Sequence, residues 1–223
     1  FPILVSTLSI VIYMKVDQLM IGSMLGDSSI GVYSVGVKLS EFWYFIPMGL
    51  ASSVFPTLVA KRKESRLDYL EFLKVLHIIL IFTSILMAVF VQWIGKDLVI
   101  FLYGSPYALA SDVLKIYIWS GIFVFVGVAG GNYFLIENKQ VYVLWKSLSG
   151  LLVNVLLNFF WIPIYGIYGA AFATLISQFV ASCLIPFFFK EVRELSYIQM
   201  SSLLFWKWPK VLFSVYQNIK IRY

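Results

Sequence analysis

Long apolar runs fill this chain, and its polar positions fall into short clusters between them. Six runs approach the roughly 20 residues that a helix needs to cross a hydrocarbon core about 30 Å thick. They cover residues 1–25, 31–60, 75–94, 112–136, 141–162 and 169–189. The strands of a membrane barrel would alternate polar and apolar at half that length, so the pattern predicts helices. The second run is long enough to tilt, and Pro47 and Pro56 within it predict a kink. The expected fold is an all-α polytopic membrane protein, with a six-helix transmembrane lobe over residues 1–190 and a tail over 191–223.

Two polar stretches have patterns of their own. From Lys61 to Lys74, charges alternate with Leu67, Leu70 and Leu73, which predicts a short amphipathic helix at the interface, with His77 at the boundary of the third span. In the tail, Leu204, Trp208, Leu212, Val215 and Ile219 share one side, which predicts a C-terminal interfacial amphipathic helix lying on membrane lipids.

At 61% hydrophobic and 13% charged, 223 residues carry far more apolar surface than a soluble domain needs. The net charge of +6 comes mostly from basic residues after the second run, around Lys139 and Lys146, and in the tail. That alternation follows the positive-inside rule, places both ends in the cytoplasm and leaves no basic face for nucleic acid. The start at Phe1, without Met or a basic leader region, reads as the C-terminal part of something longer. Cys183 stands alone and has no intrachain disulfide partner.

Four ionisable residues interrupt the first two runs: Lys15 and Asp17, then Lys38 and Glu41. At membrane depth such groups serve an ion or substrate pathway or a structural pair. Counting from the turn near Ser28, Asp17 and Lys38 lie at matching depth, roughly 15 to 20 Å down. Depth therefore predicts an Asp17–Lys38 structural ion pair. Lys15, two residues from Asp17 and about 200° around the helix, then faces elsewhere. Asn154 and Asn158 share a face, and Gln178 lies in the sixth run. For these amides, as for Asn132, interhelical hydrogen bonding competes with contact to a polar substrate. No residue set suggests catalysis or metal ligation, so an enzyme is not expected.

Lys15-Val16-Asp17-Gln18-Leu19-Met20-Ile21-Gly22, followed by Gly31-Val32-Tyr33-Ser34-Val35-Gly36-Val37-Lys38-Leu39-Ser40-Glu41, resembles helices seven and eight of O-antigen and capsule flippases. Asp97-Leu98-Val99-Ile100-Phe101-Leu102-Tyr103-Gly104, Ala110-Ser111-Asp112-Val113-Leu114 and Tyr165-Gly166-Ile167-Tyr168-Gly169-Ala170-Ala171-Phe172-Ala173-Thr174 extend the resemblance in order to about residue 190. This family belongs to the multidrug, oligosaccharidyl-lipid and polysaccharide superfamily.

The resemblance implies the second lobe of a twelve-helix alternating-access transporter in a bacterial inner membrane. Such a transporter flips oligosaccharide repeat units linked to undecaprenyl pyrophosphate, for O-antigen, lipopolysaccharide or capsule synthesis. The implied partners are the lipid-linked oligosaccharide, the N-terminal lobe of the same polypeptide and polysaccharide polymerase machinery. No cofactor is implied, and H+ or Na+ are the candidate coupling ions. On this footing Lys15, Glu41, Asn154, Asn158 and Gln178 are candidates for the substrate pathway, with Lys15 facing the cavity through which a pyrophosphate passes. A multidrug exporter of the same superfamily, a membrane glycan polymerase or ligase, and a structural subunit are the alternatives.

Overall fold

The computed structural model describes residues 15–204 and 208–209, which are helical almost throughout with no strand among them. Residues 1–14 of the first predicted span and most of the predicted interfacial tail helix lie outside the described residues.

Residues 15–25 form α1, and Gly26 alone separates it from α2 (Asp27–Glu41). A 3-10 turn over Phe42–Tyr44 joins α2 to α3 (Phe45–Glu64). The turn falls just ahead of Pro47, which has no N–H to give the carbonyl of Trp43 four residues back. Ser65, in extended conformation, then separates α3 from α4 (Arg66–Tyr103), and its side chain accepts from the Asp68 N–H at 3.4 Å. This cap lets one 38-residue helix start among the charges. The separate interfacial helix expected over Lys61–Lys74 is instead divided between the end of α3 and the start of α4. His77 is buried inside α4, its Nδ1 lying 2.8 Å from the Leu73 carbonyl, and does not mark a boundary.

Two shorter helices, α5 (Ala110–Tyr117) and α6 (Ser120–Ile136), follow with a bend of 43° between them. At the end of α6, Asn138 adopts a positive φ of 56°, and the amides of Asn138 and Lys139 return to the carbonyls of Leu135 and Phe134. That closure stops the helix cleanly. Beyond it run α7 (Val141–Phe179), a π turn over Val180–Leu184, α8 (Ile185–Phe188) and α9 (Arg193–Ser202).

By length and composition, three helical stretches among the described residues can cross a membrane: Asp27–Glu64, Arg66–Tyr103 and Val141–Phe188. The bent pair α5 and α6 makes a fourth if it acts as one span. The chain is thus a multi-pass α-helical membrane protein. The sequence pattern suggested six spans, and part of the difference lies at Gly166, where φ 61° and ψ −143° interrupt α7. Asn154 and Thr174, which a straight helix would hold about 30 Å apart, approach to 3.4 Å between side chains. The chain therefore doubles back at Gly166, in a conformation open to glycine alone.

α2 packs against α5, and α4 against α6. One core joins Tyr69, Leu73, Leu80, Phe125 and Tyr133 to Leu195 and Ile198 of α9, so the start of the tail is packed into the fold. On the outside, Trp93 and Phe101 are 84% and 85% exposed, as a lipid-facing surface permits. Two ion pairs tie the α3–α4 junction to its neighbours. Arg62 Nε lies 2.7 Å from Glu137 Oε1, and Arg66 Nη2 lies 2.6 Å from Glu194 Oε2. The hydrogen bond from Arg62 holds the Glu137 carboxyl below the ordinary carboxylate value.

Candidate functional site

Asp17, on α1, is buried to 3% exposure at the centre of a polar cluster drawn from three stretches of chain. Tyr33 of α2 donates to its Oδ2 at 2.9 Å. The Asn158 amide donates to Oδ1 at 2.6 Å, and the Thr174 hydroxyl lies 2.5 Å from Oδ2. The reversal at Gly166 makes this possible, because it brings Asn154 and Asn158 on the outgoing leg of α7 against Thr174 and Ser177 on the returning leg.

The cluster is closed on itself. Asn158 donates to Asn154 Oδ1 at 3.0 Å, and Asn154 donates at 3.4 Å to both Thr174 Oγ1 and Ser177 Oγ. Thr174 Oγ1 also lies 3.1 Å from the Ala170 carbonyl. One atom is left over: Asn158 Oδ1 is buried and has no hydrogen-bond partner among the described residues. Among the described residues, every group contacting the Asp17 carboxylate is neutral, so the donors stabilise its charge without cancelling it.

Asp17 is not paired with Lys38. Lys38 is exposed and makes no ion pair among the described residues, and three neutral donors occupy the carboxylate instead. Matching depth did not bring the two together, because Tyr33 occupies the α2 face that meets Asp17. Lys15, two residues from Asp17, is exposed and lies within electrostatic reach of Glu41. Glu41 is half-buried beside Tyr117, and its Oε1 is buried without a hydrogen-bond partner among the described residues.

The shared face of Asn154 and Asn158 serves interhelical hydrogen bonds, and both side chains belong to the Asp17 cluster. Asn132 likewise bonds between helices, donating to the Ala51 carbonyl at 3.0 Å. Gln178 stands apart, on the wall of a cavity of about 290 Å³ between α3, α5, α6 and both legs of α7. Thr174 and Tyr117 are on that wall too, so the cavity borders both the Asp17 cluster and the surroundings of Glu41.

Tyr33, Thr174 and Ser177 were not singled out from the sequence, because hydroxyls in apolar runs read as packing. A sequence signal did exist. Two asparagines four apart, a glycine turn, and then Thr174 and Ser177 three apart is the spacing of two polar faces that meet when a chain doubles back.

The MatE family matches residues 2–160 of the chain. A probable flippase AglR of Haloferax volcanii is 27% identical over 190 residues, covering 77% of this chain and 37% of the relative. A capsular polysaccharide biosynthesis protein CapF of Staphylococcus aureus is 24% identical, over 74% of this chain and 43% of the relative. The chain thus spans less than half the length of these curated relatives. No solved structure matches it significantly.

Proposed function

The chain belongs to the MatE family, and on that premise we propose that it is part of a transporter flipping lipid-linked oligosaccharide repeat units across a cell membrane by alternating access. Two relatives named for a flippase and for capsular polysaccharide biosynthesis support the glycan as cargo. Their greater length supports the chain as one lobe of a longer polypeptide, here the six-helix second lobe, with the first lobe as its working partner. The carrier lipid is undecaprenyl pyrophosphate, and the basic connectors lie in the cytoplasm.

The observation that carries the mechanism is the Asp17 cluster. A buried carboxylate surrounded by neutral groups, with the unpartnered Asn158 Oδ1 close by, suits a monovalent cation or a proton. Asp17, Thr174, Asn154 and Asn158 supply only oxygen ligands, the chemistry that Na+ requires. Binding or release there would rearrange α1 against the two legs of α7. The coupling ion, H+ or Na+, acts at this cluster, while Lys15, Glu41 and Gln178 line the substrate route.

Complementation of a deletion strain with the full polypeptide tests this reading. The parent restores surface glycan, and Asp17→Asn leaves the lipid-linked precursor inside. A deletion that sensitises cells to drugs while leaving surface glycan intact would favour a multidrug exporter and overturn the proposal.

A further inference from the structure

The cavity of about 290 Å³ holds a cation that the Asp17 cluster does not use. Lys146 lines it from the first turns of α7, with no ion pair among the described residues and no carboxylate on the cavity wall. Its ammonium is directed at the bare face of Gly127 on α6. A Cβ built there would stand 3.0 Å from Lys146 Nζ and 2.9 Å from Ser182 Oγ. Glycine at 127 thus keeps room for the two polar ends to converge. Ser147, the next residue along, lines the same cavity, with its hydroxyl donating to the Val143 carbonyl at 2.9 Å. Met48, Val124 and Val143 make much of the remaining wall, so the space is apolar around a small polar head.

A positive charge held in apolar surroundings without a protein counter-ion is stabilised when an anion arrives with its own apolar body. A hydroxyl beside a lysine suits a phosphate, which takes several donors at once, and a lysine provides a point charge that does not demand a fixed fork. The volume is at the lower end of small-ligand sites, room for a head group and the first part of a chain.

We propose that this cavity binds the phosphate of a lipid-linked ligand, with Lys146 as counter-charge, Ser182 as hydrogen-bond donor, and the apolar wall around the start of the lipid chain. Only the source of the phosphate, the transported lipid-linked glycan, rests on the reading above. Thr174 closes the far side of the cavity while contacting Asp17. An occupied head-group site and the Asp17 cluster therefore share one side chain.

The test is a binding titration of the purified full polypeptide with a polyprenyl phosphate, and with uncharged polyprenol as control. Lys146→Met is expected to weaken polyprenyl phosphate binding about tenfold or more, and Lys146→Arg to weaken it less. Polyprenol should bind all three alike. Gly127→Leu keeps the charge but fills the space, and it should also weaken binding. Polyprenyl phosphate affinity unchanged in Lys146→Met overturns the proposal.

Phosphatidylglycerol as competitor separates the two sources of lipid phosphate. Displacement as strong as that by polyprenyl phosphate assigns the site to bulk membrane lipid, and weak displacement assigns it to the transported substrate. Cell assays keep the two readings apart. Glycan export lost on deletion, with normal binding by Lys146→Met, removes the cavity alone. Export intact on deletion, with binding lost in Lys146→Met, removes the flippase reading alone.

Discussion

The Asp17 cluster and the junction of α3 and α4 handle charge in opposite ways. At the junction two carboxylates each meet a guanidinium, Glu137 with Arg62 and Glu194 with Arg66, at 2.7 and 2.6 Å. Around Asp17 the partners are a phenol, an amide and a hydroxyl. Paired charges have little left to attract, and such pairs hold elements in place. A carboxylate held by neutral donors keeps its attraction for a cation and for a proton. The difference separates a fastening from a place where something binds.

The comparison breaks most visibly at Asp17 itself. Asp17→Leu leaves the buried Tyr33 hydroxyl without its acceptor and takes one acceptor each from the Asn158 amide and the Thr174 hydroxyl, which keep Asn154 Oδ1 and the Ala170 carbonyl, and should destabilise the detergent-solubilised protein by about 3 kcal/mol. Asp17→Asn keeps the shape and should lose much less, so the melting temperatures of the two variants measure how far the cluster depends on shape and how far on charge. Asn158→Leu removes one donor while keeping the carboxylate buried, for an expected loss of about 2 kcal/mol by the same melts.

At the junction the effect is smaller and depends on pH. Glu137→Gln should lower stability by about 1 kcal/mol near neutrality. The folded carboxyl titrates below its ordinary value of 4.5, so its contribution is present above that pH and disappears as the pH falls further. Melting curves of parent and variant should therefore converge in acid. The smallest effect is expected at Lys38, where Lys38→Gln should change stability by no more than about 0.5 kcal/mol. A loss as large as that of Asp17→Leu would show that Lys38 supports the carboxylate after all.

Much of the helical architecture was legible from apolar run length, since a chain that crosses lipid must bond its own backbone. The join between α3 and α4 was less legible. Charges from Lys61 to Lys74 look like a connector, yet a single capping serine at 65 suffices to start a new helix among them. At the site, the depth of Asp17 and the common face of Asn154 and Asn158 could be read from position and spacing. Their meeting could not, because it depends on where the reversal at Gly166 directs Thr174 and Ser177. From position Lys139 and Lys146 both read as the basic flanks of a connector, and the structure separates them: Lys139 donates to the Tyr133 hydroxyl and the Glu191 carbonyl, whereas Lys146 lines the cavity.

Cys183, the single cysteine of the chain, is buried at 1% exposure in the π turn next to Ser182. A thiol so enclosed should be slow to react with water-soluble maleimides. Cysteines introduced one at a time elsewhere in this chain would then report their own accessibility against a quiet background. Labelling rates compared with and without Na+, or across a pH series, could follow the opening and closing of each leg of α7, without first removing the one native thiol of these 223 residues.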